Sequence, residues 1–567
     1  LADEFTVEMA RFVMEDDRAE ALLDALTRQN AFVKRLPDGA AYRFHHMMKE
    51  CALRAFQVLP AARQTAYWER FGAWYEDHRQ YLHAIAAYRA AKDNDALLRV
   101  VQEDAGILLS SLEPASVLEA LEQCPPETLK AHPFALLVLM RSMFNWRNIP
   151  KMLELKALLL AAIAERPQLS PEERGNLLGE CDLILSFLCY NDISAMSRLH
   201  RSASAQMSRP AISISSSGGW TFGSPSVLMM FYRGPGELER ELAEMDECMP
   251  HYYKITNNHG QGAETLMRAE ALFCQGRFTD AHIALERAYA QIRDNGQENM
   301  ALCCDFLARR LSLFLDLRQH CTPEERRSAL LRHHNAAWLN IWNAADAYCR
   351  ALRGQPERIP AVFAQHRLST VHFLAPGRPM IEMIENQVYL AQGDYAKVIG
   401  RSEGQLAVCE GMHYALVGLH IRIQTAAAYE MLGKHSEARA LLERALADAG
   451  PDGLALPFAE NCRFLRPLLA ERLQTGLTAQ ILVLGEAAER RMAEAGRPAA
   501  LAALTAREYE IVGLMAQRMS NREIAERLYL SEGSVRQYIN QIYGKLQLEG
   551  EPRAKRRLLL ALLPEKT

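Results

Sequence analysis

No Gly-x-x-x-x-Gly-Lys-Ser/Thr run occurs anywhere in this 567-residue sequence. A loop that cradles phosphates needs those glycines to expose backbone N–H groups and that lysine to meet the phosphates. The chain therefore holds no ATPase core, and no cofactor is expected in it. Gly-x-Ser-x-Gly and His-Glu-x-x-His are also missing, which removes a nucleophile elbow and a helical zinc-hydrolase site. The twelve cysteines form no Cys-x-x-Cys pair; Cys303–Cys304 are adjacent, and Cys181 and Cys189 stand eight apart. His333–His334 is an isolated adjacent pair, and neighbours on a helix point too far apart to chelate one ion. Paired carboxylates such as Glu324–Glu325 sit in polar, solvated turns. No catalytic and no metal-ligating constellation emerges, so no enzyme is expected. Nor does any apolar run approach the twenty residues that a spanning helix needs, and no signal peptide is expected. Unpaired thiols then point to a reducing, cytoplasmic setting with no membrane partner.

Charge is nearly balanced, 65 Lys+Arg against 69 Asp+Glu, a net −4. The balance is uneven along the chain. Leu504–Thr567 carries eleven cations and eight anions, +3, and the remainder about −7. A mildly basic tail on an acidic body is weak support for nucleic-acid contact. The length exceeds what one core sustains and predicts two or more domains. The first residue is Leu1 rather than Met, the mark expected of a piece of a longer protein.

Residues 1–60 read as a small unit. Helical patterns over Thr6–Met14 and Arg18–Arg28 precede Ala31-Phe32-Val33-Lys34-Arg35-Leu36. Pro37-Asp38-Gly39 is a hairpin-type turn, Tyr42–His45 the return strand, and a helix follows through Phe56. Helices followed by a short hairpin predict a winged-helix piece. From 61 to 492 the sequence is helix upon helix, and it repeats. An aromatic or His is followed at three residues by Ala or Val, and often by an apolar residue and Ala at seven and ten. The windows are Tyr81/Ala84/Tyr88/Ala91, Phe278/Ala281/Leu285/Ala288, Tyr395/Val398 and His435/Ala438/Leu442/Ala445. Gly276, Gly393 and Gly433 stand two residues before three of them. Small residues at helix crossings with an aromatic plug predict paired helices stacked as in tetratricopeptide (TPR) repeats, here degenerate.

The stretch Ile212–Pro225, rich in Ser and Gly with Trp220 and Phe222, interrupts this pattern and cannot be helical throughout. Asn257–Gly262 is a second polar, Gly-punctuated break before a helix with Glu264 and Arg268. Trp220, Phe222, His259, Glu264 and Arg268 are the candidate effector-binding residues. Two readings stand: a loop that closes over a small molecule, or a connector whose aromatics pin it to the repeats. Ala493–Ala500 lies in a linker spanning 493–503, and the tail begins at Leu504.

In the tail, Thr505 and Ser520 are each followed three residues later by Glu (Glu508, Glu523), the capping-box signature of two helix starts fifteen residues apart. Ser531 opens a third helix with Val535, Ile539, Ile542 and Leu546 on one stripe. Its other faces carry Ser534, Arg536, Gln537, Asn540, Gln541 and Lys545, the amides, hydroxyls and cations that read base edges and grip phosphates. Arg536 is the candidate for guanine, Gln537, Asn540 and Gln541 for base edges or the sugar-phosphate rim, and Ser534 and Lys545 for phosphate. A last helix is expected over Lys555–Leu562. Leu558, Leu559 and Leu562 on it suit pairing with a second copy of the chain.

These residues carry two resemblances. Leu-Thr-x-Arg-Glu, Ser-Asn-x-Glu-Ile-Ala-x-x-Leu, Ser-Glu-Gly-Ser-Val-Arg and Ile-Tyr-x-Lys-Leu, in this order, resemble the LuxR-type C-terminal DNA-binding domain of bacterial transcription regulators, a four-helix module. Three departures mark it. Tyr538 replaces a usual His, Arg518 stands where Gly commonly ends the first helix, and Glu549-Gly550-Glu551-Pro552 is an unusual link before the last helix, which bears on the contacts of Arg553. At the other end, Tyr42-Arg43-Phe44-His45-His46-Met47 is similar to the segment after the nucleotide-binding domain of MalT-like regulators, and Ala73-Trp74-Tyr75 with Tyr81 resembles the start of their helical sensor region. The resemblance implies an ATPase core with ATP or ADP upstream of Leu1, and a nucleotide-sensing role for His45, which could equally be structural at a strand–helix junction. It further implies promoter DNA and RNA polymerase as partners and an inducer that the sequence does not name. The expected architecture is all-α: a TPR-like superhelix, an N-terminal winged-helix piece with a short β-hairpin, and a C-terminal four-helix helix-turn-helix domain. The rival is a protein-interaction scaffold whose solenoid binds partners.

Overall fold

The computed structural model describes residues 2–29, 32–36, 41–104, 114–215, 218–293, 296–317, 320–332, 336–371, 373–471, 476–495, 499–501 and 503–562. The expected Pro37-Asp38-Gly39 turn, the His333–His334 pair and the centre of the linker lie outside them. The chain divides into two compact units, Leu1–Leu311 with Leu317–Pro457, and Ser312–Asp316 with Phe458–Thr567.

The first unit opens on a three-stranded sheet. Strands β1 (Glu4–Thr6), β2 (Val33–Arg35) and β3 (Ala41–Phe44) lie in the order β1-β3-β2, all neighbours antiparallel. The β2/β3 hairpin is the expected one. Strand β1 is an addition: three residues are too few to show alternation, and its register, Phe5 against Tyr42, comes from a partner far along the chain. Thr6 then caps helix Val7–Met14 by accepting from the Met9 N–H at 3.2 Å. Tyr42, Val33 and Leu23 bury against Phe5 and Phe44, a small core under the sheet.

Helical hairpins follow. Tyr81, Phe278, Tyr395 and His435, the aromatic or His of each sequence window, all stand at the first position of the second helix of a pair. Helices Ala61–Asp77 and Tyr81–Ala91 pack together, as do Ala263–Cys274 with Phe278–Arg293, Arg378–Gln392 with Tyr395–Gly411, and Ala415–Met431 with His435–Ala449. Ala84, Ala281, Val398 and Ala438, the small or β-branched residues of the windows, are fully buried at the crossings. Gly276, Gly393 and Gly433 take positive φ (77°, 86°, 73°) in the turns between paired helices, where a Cβ is costly. The first pair lacks the glycine, and Arg79 occupies the same place with φ 56°. Sequence reading also passed over Trp68-x-x-Phe71-Gly72-x-x-Tyr75, a TPR first-helix pattern. Its glycine is required: a Cβ on Gly72 would meet the Tyr88 ring at 2.5 Å.

The loop from Met207 to Val227 is held at many points. Ala211 donates to the Ile255 carbonyl (2.8 Å), Ser213 N–H to Glu180 (2.8 Å), and the N–H groups of Trp220 and Thr221 both to Asn299 Oδ1 (2.8 and 3.0 Å). These contacts fit the reading as a connector pinned to the repeats. The cause is visible at Gly260, where a Cβ would fall 2.3 Å from the Trp220 ring, so the second loop is moulded on the first.

In the second unit, helix Gly476–Ala495 lies along Cys462–Ala470, with Arg466 reaching Glu489 (2.6 Å) and Glu486 (3.2 Å). Four further helices form the tail: Ala506–Ala516, Asn521–Leu528, Glu532–Lys545 and Pro552–Ala561. The last starts three residues before the expected Lys555, because Pro552 takes the first helical position, where its missing N–H costs nothing. Leu501, Leu504, Ile511, Val512, Ile524, Val535, Ile542 and Leu559 make the tail's core.

Among the described residues no helix is long and apolar enough to cross a membrane, and no group of His, Cys, Asp or Glu is arranged to hold a metal ion.

Candidate nucleic-acid interface and effector cavity

Local chemistry builds the tail site in three steps. Both expected capping boxes are present: Thr505 Oγ1 accepts from the Glu508 N–H while Glu508 accepts from the Thr505 N–H, and Ser520 and Glu523 repeat the exchange. Ser531 caps the third helix through the Ser534 N–H at 3.0 Å. Between the helices the chain turns on Arg518 (φ 64°) and Tyr529 (φ 52°), two side-chain-bearing residues in the left-handed region. Arg518 thus takes, with a side chain, the left-handed conformation that the usual Gly adopts freely. Two arginines whose roles sequence reading missed tie the turns down. Arg507 donates to the Leu528 carbonyl at 2.7 Å, and Arg556 to the Met515 and Met519 carbonyls at 3.3 and 3.2 Å, each satisfying a helix end.

Helix Glu532–Lys545 is anchored by Val535, Ile539 and Ile542 in the core, with Tyr538 packed against it. Arg536, Gln537, Asn540 and Gln541 line its exposed side at intervals of one, three and one residues, a single polar stripe on a helix. Arg536 is held by Glu532 at 2.8 Å, one turn back. Ser534 is half-buried at the start of the helix, its Oγ 2.8 Å from that of Ser531. Lys545 departs from the stripe: its Nζ is 2.8 Å from Glu508 Oε2. The phosphate role read from the sequence is therefore offset by a structural partner, invisible because it lies 37 residues away. Tyr529 was not singled out, yet at 96% exposure it projects from the turn just ahead of the stripe. On the last helix Leu559 is wholly buried in the tail core and only Leu558 (47%) is well exposed, so the apolar face offered to a second copy is narrower than expected.

At the other end His45 is exposed at the junction of β3 and helix His46–Gln57, its ring 4.3 Å from that of His46. That placement is the strand–helix junction of the local reading.

In the first unit, a cavity of about 100 Å³ opens among helices Pro133–Asn145, Ile193–Gln206, Leu238–Thr256 and Ala336–Leu352 and the pinned loop. Trp220, Phe222 and His259 all line it. Glu264 and Arg268 do not. Glu264 accepts from the Tyr253 hydroxyl and Arg268 pairs with Asp246, because the helix they share turns those positions away from the cavity. Trp220, 7% exposed, stacks on Phe231 with centroids 5.3 Å apart. Phe222 stands edge-on to Phe144 and Phe187 at 5.4 and 5.5 Å, and its backbone sits at φ 50°, a strained conformation maintained at the cavity wall.

The polar groups of this cavity escaped sequence reading, for they come from helices that carry no motif. His259 Nε2 faces the Gly218 carbonyl (3.2 Å), so that nitrogen bears the proton and Nδ1 accepts from the Tyr252 hydroxyl (2.7 Å). Burial, with the Arg141 charge adding to it, pushes the His259 pKa down to about 4. His200 Nε2 is 3.0 Å from Ser186 Oγ, and the one Ser186 proton goes to the Leu183 carbonyl at 2.6 Å. His200 Nε2 must then be the donor, which leaves Nδ1 a bare acceptor. That Nδ1 and Asn145 Oδ1 are buried without a hydrogen-bond partner among the described residues. Burial lowers the His200 pKa to about 3, so the ring stays neutral. The Arg141 guanidinium completes the set, its pKa lowered by burial and supported by Asp104.

Three helices with the third displaying a polar stripe, on a core that includes a fourth, define a helix-turn-helix domain. The family model for bacterial regulatory proteins of the luxR family matches residues 502–557, and that for the MalT winged helix domain matches residues 1–64. The transcriptional regulatory protein LnrK of Bacillus subtilis (strain 168) is 36% identical over 61 residues, 11% of this chain and 28% of that protein. The chain thus spans little more than a quarter of that curated relative. No solved structure matches. Both resemblances read from the sequence are borne out: the two ends of the chain are similar to a MalT winged helix domain and to a LuxR-type helix-turn-helix.

Proposed function

We propose that this chain is a signal-responsive bacterial transcription regulator, non-enzymatic and cytoplasmic. It binds specific promoter DNA through helix Glu532–Lys545 and senses a small-molecule effector in the cavity of its helical-repeat unit. The observation that carries the reading is the exposed stripe Arg536, Gln537, Asn540 and Gln541 on a helix whose opposite face is fully committed to the core. Such a stripe fits the major groove, where Arg pairs with guanine and amides pair with adenine. RNA polymerase and a second copy of the chain on the DNA are its partners in this reading. The luxR-family match and the regulator name of the relative support the class.

Selection of binding sites from random duplex DNA, followed by gel shifts over a salt series, tests it. The reading expects an enriched motif and an affinity that falls steeply with salt. An interaction scaffold yields neither, and that outcome would replace the proposal.

A further inference from the structure

The geometry points to an aromatic carboxylate bearing an O–H or N–H donor as the class of ligand that fills the cavity beside Trp220; this rests on the effector-sensing reading and gives it a chemistry. Four observations converge. The wall is largely aromatic, with Phe187, Trp220, Phe222, Phe231, Trp338 and Phe373 facing the space, which suits a flat ring that stacks or meets edges. His200 Nδ1 is an acceptor with no donor among the described residues: His200 is 1% exposed, and its other nitrogen is committed to Ser186. A buried acceptor left unpaired destabilises the site, and a donor on a ligand removes that cost. On the same cavity, the planar cation of Arg141 matches a carboxylate in shape and charge. Tyr252 and His259 bond to each other, and the His259 proton goes to Gly218, so the hydrogen bonds of that side are closed and it adds no further donor demand.

The wall is built rather than incidental. Phe222 keeps a positive φ to present its ring, and Gly377 lies so close behind that a Cβ on it would meet the Phe222 carbonyl oxygen at 2.4 Å. Trp220 is fixed from behind by Gly260 and through its backbone by Asn299. A polyol finds too few polar partners in such a site, and a purely apolar compound leaves His200 Nδ1 unmet.

The experiment uses the full chain and ligand-observed NMR with three probes: 4-hydroxybenzoate, 4-methoxybenzoate, which lacks the donor, and 4-hydroxybenzamide, which lacks the charge. Tryptophan fluorescence is followed in parallel. The expected order has 4-hydroxybenzoate binding at least tenfold more tightly than either relative, with quenching of cavity tryptophan emission. Arg141→Met should erase its advantage over the amide, and His200→Phe its advantage over the methyl ether. Where Arg141→Met does not fold, Arg141→Lys serves, and a reduced preference for the carboxylate is the result expected. Equal binding of the three probes, or none at millimolar concentration, overturns the ligand class, as does a preference that survives both substitutions. Gel shifts with and without 4-hydroxybenzoate separate the two layers: ligand binding without any change in DNA affinity leaves the site standing and removes the effector reading.

Discussion

Lys545 Nζ lies 2.8 Å from Glu508 Oε2, joining the last turn of the polar-striped helix to the first turn of the helix that opens the tail. The same Glu508 oxygen accepts the Thr505 N–H at 2.7 Å, so one buried carboxylate closes a capping box and pins the angle between two helices. A residue that looks like a phosphate ligand on a helical wheel thus also ties two helices together.

Glu508 should make the tail acid-sensitive. Burial raises its pKa, but Lys545 and the Thr505 N–H and hydroxyl outweigh that and leave it below the usual 4.5. A carboxyl whose folded pKa is depressed stabilises fully above its unfolded value. That contribution disappears as pH falls through the folded pKa, on the acid side of the usual carboxylate range. Glu508→Gln should cost the tail about 1–2 kcal/mol at neutral pH and abolish this part of the acid dependence. Hydrogen exchange at the Val535 and Ile539 amides between pH 3 and 7 reads both effects.

Lys545→Ala should act on the same contact. Expected is a tail destabilised by about 0.5–1.5 kcal/mol, since Lys545 is 41% exposed and its pair with Glu508 is partly screened. Its salt slope for DNA should stay nearly unaltered. A slope reduced by about one unit with unchanged stability would return Lys545 to the phosphate role.

Arg536→Ala should weaken specific DNA binding by roughly 1–3 kcal/mol and relax discrimination at one base pair. Its contact with Glu532 is exposed and one turn away, so folding should be nearly unaffected. Gel shifts on the selected site and on single-base variants of it decide the matter. Equal loss on every sequence would make Arg536 a backbone contact.

Trp220→Ala should behave as a core mutation before it behaves as a site mutation. The ring is almost wholly buried against Phe231 and Gly260, so its removal should cost about 3–5 kcal/mol. A urea midpoint unchanged from the parent would show that the loop is not anchored as described.

Two glycines with the same φ of 73° separate backbone cost from crowding. Gly433 has open space where its Cβ would stand, whereas at Gly260 the Trp220 ring is 2.3 Å away. Gly433→Ala should lose about 1–2 kcal/mol, the penalty of the left-handed conformation alone. Gly260→Ala should lose about 2–4 kcal/mol, because the ring must move as well. Equilibrium unfolding of both variants tests the difference.

The amino-acid sequence by itself determined what depends on neighbours a few positions away. Thr505/Glu508 and Ser520/Glu523 announce helix starts because a capping box closes over three residues. Gly276, Gly393 and Gly433 announce turns because only glycine enters the left-handed region freely, and Val535, Ile539 and Ile542 announce a buried face because a helix repeats every 3.6 residues. Tertiary structure alone decided which of the loop residues share a site. Trp220, Phe222 and His259 meet Arg141, Asn145 and His200 from helices that no periodic signal connects, whereas Glu264 and Arg268, close in sequence to His259, turn elsewhere. It also decided that Lys545 serves Glu508, and that β1 exists at all. In each case the partner is distant along the chain, and its position follows from how whole helices and strands stack, a quantity that no local pattern of residues encodes.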